Sequence, residues 1–233
     1  QGAAEGYQRS LDLDTAVSKV HFSLDGVNYE REFFISRPNG CMIIRLKSSE
    51  RGKINLTASL SRGRFYDGVG KWGEDGILLY GNLGRGGVEF ASMLRAKVKG
   101  GCLRLIGENL CVEAADEAVL YYAADTTYHF APEEKHKYVR TFLAEKEFPE
   151  ELEYFGLGEI EQQEYLYQLA LQSMLRERLS ERIDVCMNTE YETLRAEHIQ
   201  DYRLLYDRVQ LSLDIPEDRE AGALPTDERL SNS

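Results

Sequence analysis

Along the first half of the chain, apolar and polar residues alternate with a period of two, and the alternation is cut by turns rich in Gly, Pro and Asp. Such a period puts the apolar side chains on one face of a strand, which predicts a series of half-buried antiparallel strands. Residues 7–14 (YQRSLDLD) and 16–24 read as the first two. Asp25-Gly26 then supplies a hairpin turn, since glycine tolerates the positive φ that such turns demand. In the next run, residues 28–46, Tyr29, Arg31, Phe33 and Ile35 share one face and Glu30, Glu32, Phe34 and Ser36 the other. Arg37-Pro38-Asn39-Gly40 turns the chain. Cys41-Met42-Ile43-Ile44 is apolar on both faces, as expected of a strand near the middle of a packed sheet. This hairpin is expected at the centre of an all-β domain.

Residues 53–61 (KINLTASLS) continue the alternation, with Ile54, Leu56, Ala58 and Leu60 on one face. Residues 62–76 break it: five glycines surround Phe65, Tyr66 and the single tryptophan, Trp72, and predict a long exposed loop or an irregular hairpin. Strands resume at 77–83, 89–98, 102–106, 110–114 and 118–124, divided by turns such as Gly84-Arg85-Gly86-Gly87 and Gly100-Gly101. About ten short strands at this spacing predict a mainly β fold, an antiparallel β-sandwich over residues 1–131. From Pro132 the texture changes. Residues 133–164 hold ten acidic against four basic residues and no strand-like alternation. Over 160–183, Leu166, Leu169, Ala170, Ser173, Met174 and Leu179 recur at helical spacing. Asn188-Thr189-Glu190 reads as the start of a second helix with Tyr191, Leu194, His198, Ile199, Tyr202 and Leu205 as its stripe. The expected organisation is therefore a sandwich (1–131), a helical insert (132–206), a last strand returning to the sandwich (207–215) and a charged linker (216–233).

Composition narrows the function. A chain 42% hydrophobic and 29% charged can build a core. Its net charge of -12 argues against nucleic acid or an anionic membrane as a partner, because either needs a concentrated basic surface. No run approaches the roughly 20 apolar residues of a membrane span. The opening QGAAEGYQRS lacks the apolar core of a signal peptide. Cys41, Cys102, Cys111 and Cys186 are scattered, without C-x-x-C spacing, and read as buried free thiols; Cys102 and Cys111 facing one another from consecutive strands is the alternative. Free thiols lean toward a reducing, cytoplasmic compartment over a secreted one, with the compartment left open. No cofactor and no metal-ligand set is read.

Several segments, in order and spacing, resemble the N-terminal domain of the glycoside hydrolase family 95 α-L-fucosidases. They are YQRSLDLDTA at 7–16, YEREFF at 29–34 with Ser36-Arg37-Pro38, AVLYYAADTT at 118–127, and HIQDY at 198–202 running into LYDRV at 205–209; LPTDERL at 224–230 is similar to the linker into the family's catalytic barrel. The resemblance implies a supersandwich-like domain of an inverting glycoside hydrolase, in which an acid and a base work on opposite sides of the bond. It also implies a helical (α/α)6 barrel as partner, where the family keeps its glutamate acid and the asparagine and aspartate groups that handle water. No residue of this chain takes over those roles. The family's strands ahead of the Tyr7 segment are absent, and residues 129–188 are longer than the usual connection.

Candidate sites are few. Glu74-Asp75 beside Trp72 is the one acidic pair next to an aromatic, glycine-rich stretch, so Trp72, Tyr66 and Glu74 are candidates for carbohydrate contact. His198 and Asp201 lie three apart on one helical face and, with Tyr202 and Arg208, are expected to dock the helix on the sandwich; a third metal ligand at helical spacing is missing. Three functions stay open. A non-catalytic N-terminal sandwich that supports a fucosidase barrel is the first. A free-standing carbohydrate-binding module, taking a fucosylated glycan, requires Trp72 and Tyr66 to line an exposed groove. A protein-interaction domain or homodimer requires Leu166, Leu169 and Met174 to be exposed.

Overall fold

The computed structural model describes residues 2–84, 87–145, 159–210 and 225–226. Its strands are β1 (Glu5–Asp12), β2 (Val17–Leu24), β3 (Val27–Ser36), β4 (Cys41–Ser48), β5 (Ile54–Ser59), β6 (Gly68–Trp72), β7 (Gly76–Asn82), β8 (Glu89–Lys99), β9 (Cys102–Ile106), β10 (Asn109–Ala115) and β11 (Glu117–Thr126). A short 3-10 turn at Thr127–His129 leads into α1 (Pro132–Glu145), and α2 (Glu159–Met187) and α3 (Tyr191–Tyr206) follow. Eight strands form one antiparallel sheet in the order β1-β2-β3-β4-β11-β8-β7-β6, and β5-β10-β9 form a second. The fold is mainly β, two antiparallel sheets with helices in the C-terminal part.

The turns carry out what their residues ask for. Asp25 and Gly26 both have positive φ, 52° and 80°, which is the two-residue turn that suits the twist of a hairpin. Ser36 pairs with Cys41 across the four-residue turn, closed by Gly40 N–H donating to the Arg37 carbonyl at 3.2 Å. The hairpin β3–β4 lies third and fourth in the large sheet, so β4 is central there.

The large sheet is covered on both faces, by different things. On one face, Ile77, Leu94, Ala96, Ala118 and Leu120 meet Ile54, Leu110, Val112 and Ala115 of the second sheet. On the other, Phe34, Ile43, Leu78, Met93 and Tyr121 meet Val139 and Phe142 of α1, Leu171, Met174, Leu175, Leu179 and Ile183 of α2, and Leu194 of α3. Met93 and Leu94 are neighbours in β8, both buried, one under each layer. Each fully buried Leu or Ile contributes roughly 1.5–3 kcal/mol, so the helices are a third layer of the core. The stripe of α2 is spent on the sheet: Met174 is 2% exposed and Leu169 packs against the same cluster.

Of the long loop and the irregular hairpin left open for 62–76, the structure has a hairpin: β6 pairs with β7, Trp72 opposite Gly76. Gly68 and Gly70 have no side chain to display alternation, so the strand is silent in the pattern. Cys102 and Cys111 do not face one another: the register sets Cys102 against Glu113 and Cys111 against Arg104. Finally, Val209 and Gln210 of the expected last strand have no strand structure; residues 211–215, and the linker 216–233 apart from 225–226, lie outside the described residues.

Candidate functional site

Trp72, Tyr66 and Glu74 stand at different places along β6 and its turns. Gly70 pairs with Leu78, which belongs to the helix-side core, so Trp72, two residues on, looks to the same side and packs against that core. Tyr66 lies ahead of β6 and is half exposed; its Cα sits over Gly81, where a Cβ would come within 2.6 Å. At ~3.3 Å per residue, the strand between Tyr66 and Trp72 keeps them apart. Glu74 is exposed. Its neighbour Asp75 is held by Arg95, whose Nε and Nη2 donate at 2.9 Å each, while Arg95 Nη1 reaches Asp184 of α2 at 2.5 Å. The acidic pair is thus divided, one member tying the sheet to α2.

The residues on α3 meet the sheet. His198 is buried, its ring stacked on Phe34 at 4.8 Å with Nε2 3.0 Å from the Thr15 carbonyl. Asp201 accepts a fork from Arg37 at 2.9 and 2.5 Å. The Tyr202 hydroxyl donates to the Leu13 carbonyl at 2.8 Å. Arg208 lies past the helix and is exposed. Beside them is a cluster that sequence reasoning missed. Glu32 of β3, 7% exposed, accepts from Tyr191 Oη at 2.6 Å, Arg195 Nε at 2.8 Å and Lys19 Nζ at 2.9 Å. Burial pushes its pKa up, but the bonds from Tyr191 and Lys19 and the Arg195 charge outweigh it and hold the carboxyl below its ordinary value. Arg45 stacks over the Tyr191 ring at 4.2 Å and pairs with Glu117 and Glu192 at 2.7 Å each.

A second missed group joins β8 to α2. Glu89 is 2% exposed and accepts from Asn82 and from Gln172, whose amide also donates to the Gly81 carbonyl at 3.0 Å. Burial raises the pKa of Glu89, the bonds from Gln172 and Asn82 offset part of this, and the charge of Asp67 adds to it. A raised carboxyl is what a glycosidase general acid needs, and among the described residues Glu89 is the one carboxyl pushed up. Its carboxylate is buried under the Asn82 and Gln172 amides, and the Thr127 hydroxyl holds its main chain. A groove of about 490 Å³ alongside, lined by Asp67, Asn82, Tyr165 and Gln168 among others, stops short of it. No group of three or more metal-ligating side chains occurs among the described residues, and no helix is long and apolar enough to cross a membrane. The Glu32 and Glu89 clusters join the helices to the large sheet, and the groove beside Glu89 carries the carboxylates Asp67, Glu161 and Glu164.

Comparison with known proteins places this architecture. The chain is 32% identical over 145 residues to "Alpha-L-fucosidase 2" of Arabidopsis thaliana, a match covering 52% of this chain and 17% of the relative. It is 47% identical over 45 residues to "Probable alpha-fucosidase A" of Aspergillus niger, covering 19% of this chain and 6% of that one. The chain therefore spans under a fifth of the length of these relatives. Among solved structures, "Putative kojibiose phosphorylase from human microbiome" overlays with a TM-score of 0.47 at 14% identity, covering 88% of this chain and 25% of that one. Residues 1–131, more than half the chain, match the family model described as "Glycosyl hydrolase family 65, N-terminal domain", and the chain belongs to that family of glycoside hydrolase N-terminal domains.

Proposed function

We propose that this chain is the non-catalytic N-terminal domain of a family 95-type α-L-fucosidase and that its work is to pack against and support a helical (α/α)6 catalytic barrel. The observation that carries this reading is the 32% identity to a plant protein named as an α-L-fucosidase, of which the match covers only 17%. The burial of Glu89, the one carboxyl with a raised pKa among the described residues, supports this reading, because a general acid has to meet its substrate. A hydrolytic pair needs two carboxyls facing each other across an open cleft, roughly 5–9.5 Å apart.

The purified chain, incubated with a chromogenic α-L-fucoside, should show no turnover above buffer. Turnover that survives repurification would overturn the reading, since it would put the catalytic groups inside this domain.

A further inference from the structure

The second sheet is narrower than the one it covers. It ends at β5, which pairs with β10 alone and lies over β4, so β3, β2 and β1 run on beyond it. Leu56 and Leu60 of β5, and Tyr29, Ile44 and Leu46 of the large sheet, pack against the inter-sheet core yet stay half-exposed. Ile35, on the same face of β3 as Tyr29, is 69% exposed. Phe22 and Tyr29 stack across β2 and β3 with ring centroids 5.1 Å apart, and the Arg31 guanidinium lies over the Phe22 ring at 5.2 Å. Between these rings and Ile54 of β5 runs a groove of about 450 Å³.

The charge of this face is opposite to that of the chain, whose net charge is -12. Register sets Arg9, Val20, Arg31 and Leu46 in one row across β1 to β4. Leu46 faces the second sheet's core, so both arginines share that side. Glu30 and Glu32 of β3 alternate to the helix side, and neither β2 nor β4 contains an acidic residue. Lys53 stands at the rim of the groove, 3.5 Å from Glu50. β5 also turns away from β10 a row of main-chain N–H and C=O groups that no strand among the described residues takes up, and such an edge is a template for an added strand.

We infer that β5 and the uncovered face of β3 and β2 bind an extended, apolar and acidic segment of a partner protein, added to β5 as a fourth strand. The inference is independent of the proposed function. Strands in a sheet lie about 4.8 Å apart, so a strand one place beyond β5, which covers β4, lies over β3. Its main chain takes up the free groups of β5. Apolar side chains directed inward close the groove over Phe22 and Tyr29. An acidic side chain directed inward meets Arg31, and one directed outward meets Lys53.

The test titrates the full chain into a fluorescent peptide of about eight residues, Val-Val-Glu-Glu repeated, which presents both residue types on both faces of a strand. Fluorescence anisotropy should report saturable binding that weakens with added salt, and the matching Val-Val-Lys-Lys peptide should not bind. Two further acidic peptides carry N-methyl groups on one or the other set of alternate amides. One of these should lose binding and the other keep it, because only one edge of the peptide pairs with β5. Arg31→Glu combined with Lys53→Glu should abolish the signal. Amide exchange should show the β5 amides that point away from β10 open in the free chain and protected by the peptide. No binding, equal binding of the lysine peptide, or indifference to both methylation patterns would overturn the inference. So would β5 amides already protected in a free monomer, which would give the edge to the chain's own residues. A dimer that the same double substitution dissociates would give it to a second copy and overturn the inference too. All but the double substitution are read on the unsubstituted chain.

Discussion

Leu179 is fully buried in α2, within the core that this helix shares with β8 and β11 of the large sheet. Shortening it to Ala leaves a cavity roofed by a helix and floored by a sheet that is itself held from below by the second sheet. A site that cannot collapse sits in the upper part of the usual Leu→Ala range, about 3–5 kcal/mol. Domain stabilities are about 5–15 kcal/mol, so Leu179→Ala should remove a large fraction, and the urea midpoint should fall by about 1–2.5 M at an m-value of about 2–3 kcal/mol/M. The informative readout lies far from the change. β10 belongs to the second sheet, on the opposite face of the large one. If the three layers melt as one unit, amide exchange in β10 should speed up as much as the helical far-ultraviolet signal is destabilised. If the β10 amides keep their original protection while the helices melt early, the helices are an appendage and the three-layer reasoning fails.

Other perturbations probe the buried charges and the tryptophan. Glu89 has its pKa raised in the fold, so its contribution to stability is fully present below the ordinary carboxylate pKa and is lost as pH rises through the folded value. Glu89→Gln should therefore gain stability relative to the unsubstituted chain at pH 8 but not at pH 4, read as urea midpoints; an equal difference at both would contradict the assignment. Glu32 has the opposite sign: its contribution is present above the ordinary carboxylate pKa and is lost as pH falls through the lowered one. Glu32→Gln leaves Lys19 and Arg195 without their shared anion and should cost about 3 kcal/mol at neutral pH, with little cost in thermal midpoint at pH 3; a cost that does not shrink in acid would refute it. Trp72→Ala should lower the thermal midpoint, because the indole packs on the helix-side core. Glycan titration by calorimetry should be the same for both proteins, and binding lost only in the variant would restore the sugar-contact role.

How much of this was legible depended on whether side chains repeat along the backbone. Strands whose alternating faces meet water on one side, such as 53–61, announced themselves. The central position of β4 was legible because Cys41 to Ile44 is apolar on both faces, a pattern only a strand covered twice can use. What covers the second face was not: nothing in a strand distinguishes a helix above it from another sheet. β6 could not be told from a loop because Gly68 and Gly70 carry no pattern, so 62–76 read equally as a loop or an irregular hairpin. Helical spacing put His198 and Asp201 on one face of α3, whereas Arg208 lies beyond the helix. Glu32 and Glu89 were invisible among 40 acidic residues, since only pairing across the layers tells a buried carboxylate from a solvated one.

The central claim is that this domain supports catalysis that it does not perform. The most direct measurement mixes the purified chain with the separately produced remainder of the same enzyme, and follows association by sedimentation and α-L-fucoside turnover together. The account predicts a stable complex whose turnover exceeds that of the remainder alone, with none from this chain by itself. Two parts that sediment independently, or a remainder fully active without its partner, would contradict it.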